Sequence, residues 1–166
     1  MTDMNFTDLK SIATVDTYDL FSLLGMQTMS AEDQASVIMD LQMLIWTEFL
    51  SQRLQMLLTQ AQLEHVRSLV VAQKSMEIII AEIEKFVPSL KPLWLEFSLD
   101  FKFRWVKQYW SDREGELKKS IERTSDALKP KLSLELQQAR HAALLADAGQ
   151  WSTLIEFLNP QSSSAA

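Results

Sequence analysis

Three glycines and four prolines are all that 166 residues offer for breaking a helix. Strands need frequent tight turns, and tight turns draw on those two residues, so their scarcity confines the chain to long helices joined by few loops. Their positions agree. Gly25, Pro88, Pro130, Gly149 and Pro160 each stand where an apolar run stops, and Pro92 falls where a first helical turn tolerates it. Eight methionines and many leucines and glutamines favour the same conformation. With 47% hydrophobic and 23% charged residues, the composition is globular, and a chain this long buries roughly 70% of its unfolded surface. The expected class is all-α, a compact bundle of about six or seven helices with a C-terminal helical hairpin.

Helix boundaries follow from caps. Residues 1–16 are polar and aperiodic, which reads as a flexible leader. A short helix over about 17–24 stops at Gly25, which supplies a left-handed residue. Ser30 with Asp33 three positions on resembles a capping box, and Glu32 and Asp33 suit the positive end of a helix dipole. The helix that starts there should run from Ala31 to about Leu58. Thr59 with Gln62 caps the next, through about Val71, and Ser75 the one after, with Ile79, Ile80, Ile83 and Val87 on one face and Pro88 at its end. Ser89 is placed to cap a helix through Trp110. Ser111 with Glu114 marks a new start, and Gly115 weakens continuity beside it. Between 116 and 129 the apolar positions thin to Leu117, Ile121 and Leu128, which predicts a mostly solvated helix interrupted by Pro130. The expected organisation is a leader (1–16), a bundle (17–110), a C-terminal extension packing on it (111–160) and a disordered tail (161–166).

Two stretches carry most of the apolar mass. In LQMLIWTEFLSQRLQMLL, Leu41–Leu58, apolar side chains surround nearly the whole helix, so it lies at the centre of a bundle or under a second copy. In LEFSLDFKFRWVKQYW, Leu95–Trp110, polar and apolar residues alternate like a strand as far as Trp105. At 100° per residue the same letters satisfy a helix. Trp94, Phe97, Phe101, Trp105 and Tyr109 then share one face, with Leu95, Leu99, Phe103, Val106 and Trp110 beside them, and Glu96, Asp100, Arg104 and Lys107 form a polar stripe. Only Lys102 sits badly, and its long stem can snorkel to water. No second alternating run exists to pair with a strand, so the stretch is read as a helix. Clustered Trp and Tyr are typical interface anchors, which makes Trp94, Phe101, Trp105, Tyr109 and Trp110 the candidate partner-binding residues.

Motifs for chemistry are missing. The absence of cysteine removes disulfides, zinc–thiolate sites, iron–sulfur clusters and thiol nucleophiles. His65 and His141 lie far apart and outside any metalloprotease or di-iron spacing. Isolated glycines build no phosphate cradle. Pairs such as Glu82/Glu84 point in divergent directions on a helix, although carboxylates distant in sequence stay open as a site. MTDMNFTDLK carries acids where a secretory signal carries bases, and Glu48 and Arg53 interrupt the most hydrophobic stretch, so a soluble, cytoplasmic chain is expected.

The chain from about Leu20 to Lys107 resembles an uncharacterised family of small all-helical bacterial proteins, known as a domain of unknown function and seen mostly in candidate-phylum bacteria. LLGM followed by SAEDQ, then LLTQAQLEHV, then IIIAEIEKFVPSLKPLWLEFSLDFK carry the resemblance. It departs from the family in its aromatic density after Trp94, and the region after residue 110 looks like an added module. The resemblance implies a fold class and no site.

The function expected is a non-enzymatic protein-interaction or assembly component without cofactor or metal, its partner a protein or a further copy of itself. The alternative is a nucleic-acid-associated protein using Lys102, Arg104, Lys107, Lys118 and Lys119. Residues 91–131 hold ten bases against seven acids, a weak footprint for phosphate binding, so nucleic acid is the less favoured partner, as is a membrane.

Overall fold

Most helices begin on the caps that the sequence supplies. The computed structural model describes residues 18–160, Met76 by its backbone alone, and the expected leader (1–16) and tail (161–166) lie outside the described residues. Among the described residues there are seven helices and no strand, so the fold is all-α. They are α1 (Leu20–Leu23), α2 (Ala31–Glu48, continued by a π-helical segment Phe49–Leu54 and a last turn Gln55–Leu57), α3 (Gln60–Val71), α4 (Met76–Phe86), α5 (Leu90–Arg123), α6 (Lys129–Asp147) and α7 (Trp151–Leu158). None is long and apolar enough to cross a membrane.

Ser30 caps α2 by accepting the Asp33 N–H at 3.1 Å. Thr59 and Gln62 close a reciprocal capping box on α3. Ser75 precedes α4 as expected, but its hydroxyl makes no cap bond. Asp19 caps α1, which the sequence did not single out, by accepting the Ser22 N–H at 2.8 Å.

Two expectations about α5 and α6 fail. α5 passes through Ser111 and Gly115 without a break, for 34 residues. A glycine inside a helix costs about 1 kcal/mol, and burial of Trp110 and Leu117 on either side outweighs that. Pro130 does not interrupt a helix either. The chain breaks earlier, over 124–128, and Pro130 sits in the first turn of α6, where its missing N–H costs no bond.

The described chain divides into two units, residues 30–101 and residues 18–29 with 102–160. The division therefore falls between Phe101 and Lys102, not after 110, and α1 goes with the C-terminal helices. In the first unit Leu41, Ile45, Phe49, Leu54 and Leu58 are all buried. Their spacing is four, four, five, four. A regular α-helix would turn Leu54 about 140° away from Phe49. The π-helical segment between them absorbs the extra residue and returns Leu54 to the buried side. Trp46 stacks on Trp94 of α5 with centroids 4.1 Å apart, and Phe49 sets its edge against Trp94 and Phe97. Val66 of α3 and Ile79, Ile80 and Ile83 of α4 complete this core.

In the second unit α1 is buried almost whole: Leu20, Phe21, Leu23 and Leu24 are at most 3% exposed. Val106, Trp110 and Leu117 of α5 and Leu154 of α7 are buried with them, as are Ala139, Ala142 and Ala146, whose small side chains on α6 allow close approach. α6 and α7 form the expected hairpin about Gly149, with the His141 ring edge-on to Phe157 at 4.6 Å.

Candidate interaction surfaces

The five aromatic residues expected to bind a partner do not form one surface. Trp94 and Phe101 are buried in the described structure, and Trp94 is committed to its stack on Trp46. Trp110 is buried too, and its indole Nε1 donates to the Leu23 carbonyl at 3.0 Å. That carbonyl is one of the C-terminal acceptors of α1 that no helical N–H reaches, so Trp110 serves as a cap from outside. Trp105 and Tyr109 are half-buried and stack on each other at 6.3 Å. Burial pushes the Tyr109 hydroxyl above its ordinary value, Arg113 pulls the other way, and Glu116 adds to the rise.

Of the basic residues, Lys102, Lys107 and Lys118 are engaged as well, whereas Lys119 is exposed. Lys102 does not snorkel. It is fully buried, and its ammonium donates to the Tyr18 carbonyl. Lys107 donates to the Asp147 carbonyl at 3.4 Å and stands 6.0 Å from the Trp151 ring centroid. Lys118 pairs with Glu114 at 2.6 Å, and the same Glu114 oxygen accepts from Arg140 Nε at 3.0 Å, which ties α5 to α6. Lys118 first, then Arg140, hold the Glu114 carboxyl below its ordinary value, against burial.

The second unit also holds an open cleft of about 610 Å³ between the end of α1, α5, α6 and α7, with Tyr109, Trp110, Arg113, Glu135 and Phe157 in its walls. Arg113 pairs with Glu135 across it at 3.5 Å, so the two charges in the walls neutralise each other. Such a wall offers no uncompensated charge to fix a ligand.

Large apolar side chains face water in both units: Leu128, Leu134 and Leu144 in the second, and a larger set in the first. Met39, Met43 and Leu44 of α2 are 59%, 64% and 52% exposed. Met56 and Leu57 at the end of α2, Val70 and Val71 at the end of α3, and Ile78 of α4 are exposed too. Met39 and Met43 are one turn apart, with Leu44 beside them, on the side opposite Ile38, Leu41 and Ile45. Of the two expectations for α2, the one that places it at the centre of the bundle is thus corrected, since one side is buried and the other is not.

The signal for this row was available. Once the four, four, five, four spacing of Leu41, Ile45, Phe49, Leu54 and Leu58 is taken as the buried seam, Met39 and Met43 fall off it.

His65 lies on the surface, 3.5 Å from Glu82 and edge-on to Phe86. A hydrogen bond from Lys85 is the main influence holding the Glu82 carboxyl below its ordinary value; burial opposes it and His65 adds to it.

The chain matches no family model, no curated protein and no solved structure.

Proposed function

We propose that this chain is a cytoplasmic, non-enzymatic interaction component, bacterial as its resemblance over residues 20–107 implies, that engages a protein partner through the outer face of α2. The exposed row of Met39, Met43 and Leu44 carries this reading. A single exposed leucine needs no explanation, but three large apolar side chains on one helical face resist solvent without a covering partner. Methionine suits such a surface because its unbranched, polarisable side chain adapts to the shape that covers it. The nucleic-acid alternative loses one of its five basic residues, because Lys102 is buried.

The test is photo-crosslinking in cells. A benzoylphenylalanine placed at Met43 should yield a discrete protein adduct on irradiation. The same probe at Gln60, which is exposed on α3, should not. Equal labelling at both positions, or none at either, would remove the proposal.

A further inference from the structure

We infer that the partner of this face is a positively charged amphipathic helix of another protein. The inference rests on the reading above, that the outer face of α2 is a docking surface, and it adds the chemistry of the occupant.

At 100° per residue, Glu32, Ser36, Met39, Asp40, Met43, Leu44 and Thr47 fall on one side of α2, and all are exposed. Carboxylates flank the apolar row: Glu32 and Asp33 lie about two turns before Met39, and Asp40 lies between Met39 and Leu44. Along the whole of α2 four acids, Glu32, Asp33, Asp40 and Glu48, stand against one base, Arg53. Residues 30–101 as a whole hold ten acids and five bases. An occupant must supply apolar side chains at helical spacing for Met39, Met43 and Leu44, and cations for the flanking carboxylates. Glu32 to Leu44 spans roughly 18 Å of helix axis at 1.5 Å per residue, the reach of about three turns of a partner helix laid alongside.

A second copy of the chain fits poorly. In a two-fold pairing through this face each Asp40 would approach the other copy's acids, and like charges would lose their water together. In the second unit Lys102 is buried on the Tyr18 carbonyl, Lys118 and Arg140 hold Glu114, Lys129 holds Asp126 and Arg113 holds Glu135, so a second copy would have to meet the α2 acids with the exposed Lys119, Arg123 and Lys131, which stand outside those pairs.

The probe is a synthetic 18-residue helical peptide of leucine and lysine, leucines on one face, titrated calorimetrically into the full chain. Its control is the same peptide with glutamate in place of lysine. The lysine peptide should bind one to one, weaken as salt rises, and outbind the glutamate peptide. The triple variant Met39→Ser, Met43→Ser, Leu44→Ser, which keeps every charge, should lose about tenfold or more in affinity. Glu32→Gln with Asp40→Asn should weaken binding and flatten its salt dependence. Glu64→Gln with Glu77→Gln, on other helices, should change neither. If the serine variant binds as tightly as the native chain, or the remote acids matter equally, the attraction is diffuse and the inference falls. No binding of the lysine peptide would also overturn it, while a Met43 crosslink would still support the docking surface. A native chain that sediments as a dimer, with the serine variant a monomer, would replace this occupant with a second copy.

Discussion

Three helices close on the same left-handed turn, and one of the three does so without glycine. Gly25 and Gly149 have φ of 67° and Gln73 has φ of 52°. In each turn the next N–H reaches the carbonyl five residues back: Met26 to Phe21 at 2.8 Å, Lys74 to Leu69 at 3.1 Å, and Gln150 to Leu145 at 2.9 Å. A side chain in this region costs about 1–2 kcal/mol, which glutamine bears and glycine would not. Gln73→Gly is therefore expected to raise stability by about 0.5–1 kcal/mol, the greater freedom of glycine in the unfolded chain taking back part of the gain. Urea unfolding at constant slope would show it as a higher midpoint, and an unchanged or lower midpoint would contradict it. Glu82 gives a pH dependence. Its carboxyl is held below the ordinary 4.5, chiefly by Lys85. The folded chain thus holds that proton less tightly than the unfolded chain does. The stabilisation is complete above the ordinary value and is lost as pH falls through the lowered one. Glu82→Gln should remove that part of the acid limb, so the native and variant stability curves converge on acidification and separate toward neutrality.

At the level of the element, what could be read in advance divides by the range of the interactions involved. The starts of α2 and α3 and the stops at Gly25 and Gly149 were legible because a cap is decided by residues within one turn of it. The continuity of α5 was not. Ser111 and Gly115 are poor helix formers locally, and only the burial of Trp110 and Leu117, made by residues far away in sequence, overrides them. Three of the aromatic candidates, Trp94, Phe101 and Trp110, turned out buried for the same reason, since a wheel shows which side chains share a face but not which face is covered. Trp94 and Trp110 had the composition of interface anchors and became core. The π-helical segment is intermediate: the phase slip is in the sequence, but it gains meaning only once Phe49 and Leu54 are known to be buried together. It yields a direct prediction. Deleting Ser51 shortens the Phe49 to Leu54 spacing from five to four, which an α-helix accommodates with the seam intact. That deletion should preserve helical circular dichroism and cooperative unfolding. Deleting Gln42 instead rotates Ile38 and Leu41 by about 100° relative to Ile45 and Phe49, and should cost several times as much in urea midpoint. Equal losses from the two deletions would show that the segment is not an insertion in the seam.

For the molecule as a whole, the main constraint is that the second unit is not continuous in sequence. Its core takes Leu20, Phe21, Leu23 and Leu24 from the N-terminal side of α2 and everything else from beyond Phe101. Two buried donors on α5 depend on the early segment as well: Lys102 on the Tyr18 carbonyl and Trp110 on the Leu23 carbonyl. A chain begun at Ser30 would lose four apolar side chains worth about 1.5–3 kcal/mol each, and would leave both donors in a part of the core where water must replace a carbonyl. The apolar term alone, roughly 6–12 kcal/mol, is comparable with the entire stability of an ordinary domain. Hydrogen exchange of the truncated chain should therefore show protection collapsing in α6 and α7, whose Ala142, Ala146 and Leu154 share that core. If those amides kept their native protection factors, α1 would be a bystander; their loss would make residues 18–29 as necessary to the C-terminal helices as the helices are to one another.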